Sequence, residues 1–251
     1  MGIYDRDYYR TPSPRGGLGM FDMWSATTWL IVINVAVFFI DAILREDRYH
    51  SGLLTQLGFF SIDAAISHLQ LWRFITFQFL HQQNTFSHIL WNMVGLYFFG
   101  PIVEQYLGFR RYIVFYLLSG IGGAFGYFFL DYTGFLDVYP TTQLVGASAG
   151  IFGVIVGAAC IAPDIQIMLL FPPIPMRLRT LAWICVGLAV YSVLYSGANA
   201  GGEASHLGGA LIGLLLIKNI QWLDFVQPRR PRMRFNGRRV QAKDWSKDFD
   251  R

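Results

Sequence analysis

Charge is what this sequence has least of. Asp, Glu, Lys and Arg make up 14% of its 251 residues, against about 25% in soluble globular chains. That deficit excludes an ordinary soluble domain with a solvated, charged surface. It also argues against nucleic acid as a partner, because the net charge of +4 is concentrated at one end. From Asp224 onward nine Lys and Arg stand against four Asp, so the tail carries +5 and the rest of the chain −1. A short basic segment beside an apolar one is a topology signal or a contact for anionic lipid. Cysteine is nearly absent as well. Cys160 and Cys185 are the only two, both within apolar runs. They provide no disulfide framework and no CxxC motif, and read as small buried hydrophobes. Residues 1–23 lack an apolar stretch behind a basic start, so they do not read as a secretory signal.

What the chain has instead is apolar length. Hydrophobic residues make up 54% and aromatics 17%, and the mean hydropathy is +0.39. Six apolar runs are expected to be helical spans: Ala26–Leu44, Phe86–Gln105, Tyr112–Leu130, Leu144–Ala162, Leu181–Tyr195 and Ala204–Trp222. The predicted fold is therefore all-α, a polytopic six-helix membrane bundle. Residues 1–23 are expected to be a flexible arm, 24–222 the membrane domain and 223–251 a basic tail. The connection over 45–84 reads as mixed, with short helices on the membrane surface around 64–71. The Pro-containing stretch 164–179 reads as a loop. Arg110, Arg111, Arg177, Arg179 and the tail fall on one side, while the connections after spans three and five have no Lys or Arg. The positive-inside rule places both termini in the cytoplasm.

Against this background four polar residues stand out. Ser148 lies among small residues in Gly146-Ala147-Ser148-Ala149-Gly150, where a hydroxyl in hydrocarbon is costly without a partner. His206 lies at the start of span six, and His88 and Asn92 share one face at the start of span two. Spans two, four and six all begin on the outer side, so these groups are expected at one shallow depth. Gly209 and Gly213 follow His206 on one helical face, and Gly153 and Gly157 repeat that spacing on span four. Small residues spaced this way let membrane helices pack backbone to backbone. Such packing would bring His206 to Ser148, as a base that activates a weak nucleophile. His88, Asn92 and the Ser148 amide suit an oxyanion hole, in which one donor contributes about 3–4 kcal/mol.

Together with Trp72-Arg73, these motifs resemble the rhomboid family of intramembrane serine proteases, in the right order over residues 24–222. The resemblance implies a six-helix bundle with a Ser148–His206 dyad open to water from the outer side. It implies cleavage of peptide bonds in or near the transmembrane segments of membrane-protein substrates. It also places Trp72-Arg73 in a structured first loop. Supporting roles fall to Gly146, Gly209, Gly213 and Phe152, whose ring stands where many bacterial members have a Tyr stacked on the histidine. The expected location is a cell membrane of the bacterial inner-membrane kind, with membrane lipid as surroundings and no cofactor or metal.

Other readings compete. Gly146–Gly150 also satisfies G-x-S-x-G, the elbow of α/β-hydrolases, but no strand pattern precedes it. A serine in such a run can simply bond back to its own helix. His88 and His206 have no Cys or acidic residue at metal-ligand spacing. Asp131, Asp137 and Glu203 are candidates for a third catalytic group. Glu203, three residues before His206 in a Gly- and Ala-rich loop over 196–203, is expected to point outward, leaving a dyad. That loop and the top of span five are expected to move to admit substrate. His81 is expected to have a loop role. An idle relative that binds transmembrane segments, a lipid hydrolase or acyltransferase and a transporter remain as alternative classes.

Overall fold

The computed structural model describes residues 24–46, 51–136, 138–169, 173–195 and 199–227, with the backbone of Arg234–Phe235 and Arg238–Arg239. The arm expected over 1–23, Asp137, residues 196–198 and most of the tail lie outside the described residues. Eight α-helices follow in chain order: α1 (Ala26–Ile43), α2 (Leu53–Gly58), α3 (Arg73–Thr76), α4 (Phe86–Leu107), α5 (Phe109–Tyr132), α6 (Ser148–Ile161), α7 (Leu178–Leu194) and α8 (Ala200–Lys218). Helices α1, α4, α5 and α8 are long and apolar enough to cross a membrane; α6 and α7 are apolar but shorter, at 14 and 17 residues. Outward-facing Trp183, Leu188, Tyr191 and Leu194 on α7 are exposed, a surface suited to lipid and not to water.

The helix ends show why the chain breaks where it does. Ser25 caps α1 by accepting from the Thr28 amide at 3.0 Å. The two amides before it, of Ala26 and Thr27, donate to the Glu104 carboxylate at 2.6 and 2.9 Å, and the Thr27 hydroxyl adds a third bond at 2.7 Å. A carboxylate is well matched to these orphan donors and to the positive end of the helix dipole. It ties the start of α1 to the end of α4. Gly108, at φ +78°, then separates α4 from α5.

The 51–85 connection is more ordered than a surface loop. Arg73 gathers it: its guanidinium donates to Phe59 O (2.5 Å), Gln56 O (3.1 Å) and Gln70 Oε1 (2.6 Å) and lies over the Phe59 ring. Trp72 Nε1 donates to Leu57 O at 3.1 Å. Buried Asp41 on α1 accepts from the Thr55 amide and hydroxyl. The expected short helix is a π-helical turn over Asp63–Ser67. The expected loop over 164–179 contains an antiparallel hairpin, β1 (Gln166–Met168) with β2 (Pro175–Arg177). Its prolines do not prevent pairing, because Pro175 starts an edge strand where no ladder donor is needed. After α8 a 3-10 segment, Ile220–Val226, buries Leu223, and Asp224 pairs with Arg111 on α5. A second pair, β3 (Arg234–Phe235) with β4 (Arg238–Arg239), follows.

Helix α6 sits at the centre, against α4, α5, α7 and α8, and α8 packs most extensively on α5 and α6. Its neighbours contribute Leu96, Val103, Tyr112, Phe115 and Tyr116 to one buried cluster with Ile151 and Val154. The close approach comes from absent side chains. A β-carbon on Gly213 would fall 2.5 Å from Gly153 Cα, and one on Gly209 would fall 2.8 Å from the Ala149 carbonyl carbon. On the other flank, one on Gly126 would lie 2.8 Å from Gly208 Cα.

Candidate active site

The first catalytic candidate is placed by a break in the chain. Ser148 is the first residue of α6 and not a residue within a longer span, because 144–147 is not helical. Leu144 bridges Phe60, and the Gly146 amide donates to Phe77 O at 3.0 Å. Gly146 has φ +134°, a conformation that side chains disfavour. A β-carbon there would sit 2.9 Å from His88 Nε2. The break has a chemical consequence. The first i→i−4 bond of α6 runs from the Ile151 amide to Ala147 O, so the preceding amides, Ser148's among them, have no intrahelical acceptor. They form a positive helix terminus beside the hydroxyl.

The second candidate comes from α8. His206 Nε2 lies 2.8 Å from Ser148 Oγ. Phe152, one turn after the serine, stacks on the imidazole with centroids 4.1 Å apart and planes 11° from parallel. The ring is therefore clamped edge-on to the hydroxyl by a residue of the same helix. A neutral imidazole so placed accepts the serine proton.

Glu203 is where the sequence reading fails. Its Oε2 lies 2.8 Å from His206 Nδ1, so it points at the imidazole and not outward. The cause is the start of α8 at Ala200, which makes 200–203 a helical turn and not a loop. Residues three apart on a helix share a face. A usable signal was Asn199, a residue type favoured just before a helix, which stands at the cap position of α8.

His88 and Asn92 flank the serine from α4. The Gln82 amide donates to His88 Nδ1 at 3.4 Å, which makes Nδ1 the acceptor and leaves Nε2–H as a donor directed toward Gly146. Asn92 is buried and donates one amide hydrogen to His88 O at 2.9 Å; its second N–H is available for another acceptor. Behind them His81 is fully buried, its ring edge-to-face with His88 at 5.2 Å. Burial pushes His81 down to about 3, and the His88 ring adds to the effect. His81 thus lies in the connection before α4, as expected, but buried there as a neutral wall behind His88. Asp131, at the end of α5, does not take the third place, because the imidazole Nδ1 is engaged by Glu203.

The sequence is similar to those of known proteins. A family model described as the rhomboid domain matches residues 68–221. Similar curated proteins include Rhomboid-like protease 3 of Toxoplasma gondii, 28% identical over 75% of this chain and 66% of its own length. Rhomboid protease AarA of Providencia stuartii is 28% identical over 76% of this chain and 70% of its own. Rhomboid protein 1, mitochondrial, of Saccharomyces cerevisiae is 28% identical over 74% of this chain, which spans only 50% of that relative's length. With the family model covering more than half of the chain, and with apolar helices long enough to cross a membrane, this multi-pass membrane protein belongs to the rhomboid family.

Proposed function

We propose that the chain is an intramembrane serine endopeptidase that cleaves peptide bonds in or near the transmembrane segments of membrane proteins. The observation that carries this reading is the 2.8 Å contact between Ser148 Oγ and His206 Nε2 at the start of a membrane-embedded helix. Ser148 attacks the scissile carbonyl as its proton passes to His206. The same imidazole then protonates the leaving amine, and water repeats the sequence on the acyl-enzyme. His88 Nε2–H, the second Asn92 N–H and the Ser148 amide hold the oxyanion. All of α1, α4, α5, α6, α7 and α8 cross the membrane in this reading, with both termini cytoplasmic and the serine near the outer face. The bacterial inner membrane fits such a topology, and surrounding lipid covers the outward faces of α7.

The test is cleavage of a panel of transmembrane peptides, and of lipid separately, by the purified chain reconstituted in vesicles. Wild type cuts peptide and not lipid, and a fluorophosphonate probe labels it. Ser148→Ala and His206→Ala do neither. Residual peptide cleavage in either variant, or lipid as the molecule cut, refutes the reading.

A further inference from the structure

We infer that Glu203 is a positioning residue for His206, so that this chain works with a Ser148–His206–Glu203 triad in place of a dyad. The inference rests on the protease reading above and concerns the same site.

Three contacts converge on one imidazole. Nε2 faces Ser148 Oγ at 2.8 Å, Nδ1 faces Glu203 Oε2 at 2.8 Å, and the ring plane lies against Phe152. An ionised carboxylate has no proton to give, so Nδ1 is the donor in that bond. A neutral imidazole carries only one ring proton. With that proton held on Nδ1, the Nε2 lone pair is left facing the serine hydroxyl, which is the tautomer a general base needs. The carboxylate fixes the protonation pattern and the stacked ring fixes the plane.

Charge gives the carboxylate a second role. As the Ser148 O–H bond breaks and Oγ bonds to the carbonyl carbon, the proton moves to Nε2 and His206 becomes a cation. Glu203 stays ionised throughout and compensates that cation at hydrogen-bond distance. When the C–N bond breaks, the Nε2 proton leaves with the amine and the pair returns to its starting charge. Both side chains are largely shielded, at 14% and 23% exposed, so the attraction is less damped than at a free surface.

The fold also provides for the carboxylate. An acidic group on a membrane helix is costly unless compensated. Glu203 lies in the first turn of α8, where the helix dipole favours negative charge. An i,i+3 Glu–His pair on an open helix face would be a weak surface interaction. This one differs because the histidine's other nitrogen is already engaged by the serine. The groups facing the pair are few: Ser148 and Phe152 from α6, His88 from α4 with His81 behind it, Cys185 from α7 on the Glu203 side, and Asn199, whose side chain bonds the Glu203 carboxylate.

The experiment uses the full chain in vesicles with a fluorogenic transmembrane peptide, measuring kcat and KM for wild type, Glu203→Gln, Glu203→Asp and Glu203→Ala. Glu203→Gln preserves the shape and removes the charge. It is expected to lower kcat about a hundredfold, within the range of roughly 10²–10⁴ for acid–base catalysis, with KM within about twofold of wild type, because the lost charge compensates an imidazolium that exists only once the proton has moved. Glu203→Asp retains the charge at longer reach and restores part of kcat. Equal kcat for wild type and Glu203→Gln overturns the triad. Should Glu203→Gln fail to fold, Glu203→Ala decides, since a wild-type kcat there overturns the triad equally. Failure of the protease reading looks different, because wild type itself then cuts no peptide.

Discussion

Replacing Gly209 by alanine tests whether the catalytic distance is set by backbone contact. The added methyl falls 2.8 Å from the Ala149 carbonyl carbon and 3.2 Å from its Cα, with the carbonyl oxygen closer still. Comfortable carbon–carbon separations are about 3.5–4.0 Å, so α8 must retreat from α6 by roughly 1 Å. The obstacle is main chain one residue past the serine, which no rotamer change removes. His206 lies one turn before Gly209 and moves with the helix. Its bond to Ser148 would lengthen from 2.8 Å to about 3.8 Å, outside hydrogen-bond range. A misplacement of about 1 Å can cost around 10²-fold in rate, and overpacking of this kind costs about 1–3 kcal/mol of stability. Transmembrane-peptide cleavage and thermal unfolding in the same detergent measure both. Gly187→Ala on α7 is the control, because its methyl would meet nothing within 4 Å; it should keep full activity and gain up to about 1 kcal/mol from helix propensity. A Gly209→Ala protein as active as Gly187→Ala would refute the argument.

Other outcomes follow from separate contacts. Gly146→Ala puts a methyl 2.9 Å from His88 Nε2 at φ +134°; kcat should fall about a hundredfold, as for a lost oxyanion donor, and unchanged kinetics would remove His88 from that role. Glu104→Ala strips the acceptor from two α1 amides and the Thr27 hydroxyl. Lying roughly 24 Å along α4 from His88, it should cost about 2–3 kcal/mol of stability with kcat unchanged, read by thermal unfolding beside cleavage. His81 is held near 3 in the folded chain and returns to about 6.5 when unfolded. The unfolded chain binds more protons between those values, so this contribution is complete above about pH 6.5. It is lost as pH falls toward 3, by at most about 1.4 kcal/mol per unit. His81→Phe should flatten the dependence of unfolding on pH, and an equal slope in both proteins would count against it.

Much of the architecture was legible because hydropathy and glycine spacing report directly on it. The runs around α1, α4 and α5 are long and apolar enough to be read as spans despite the few polar residues that they carry. Gly209 and Gly213 mark a face where the absence of a β-carbon is itself the contact. The start of α6 was not legible in that way. Leu144–Ala147 is as apolar as the helix it precedes, and hydropathy does not separate an extended segment from a helical one. Only the tertiary contacts of Leu144 with Phe60 and of Gly146 with Phe77 break it there. Glu203 was misread for the opposite reason. A charge beside Gly and Ala looks like a loop, yet α8 begins three residues earlier. The ordering of 51–85 by Arg73 depends on carbonyls of Gln56 and Phe59 fourteen and more residues away, a convergence no local pattern announces.

The stacking of Phe152 on His206 has a stereochemical consequence. An imidazole held flat against a ring of the nucleophile's own helix cannot swing after it takes up a proton. Donor and nucleophile therefore form a stationary pair, and the peptide must present its departing nitrogen to the edge where Nε2 already waits. Only one of the two faces of the scissile carbonyl satisfies that demand while turning its oxygen toward His88. In the proposed reaction the handedness of the tetrahedral adduct then follows from the Phe152–His206 stack before any substrate side chain is read.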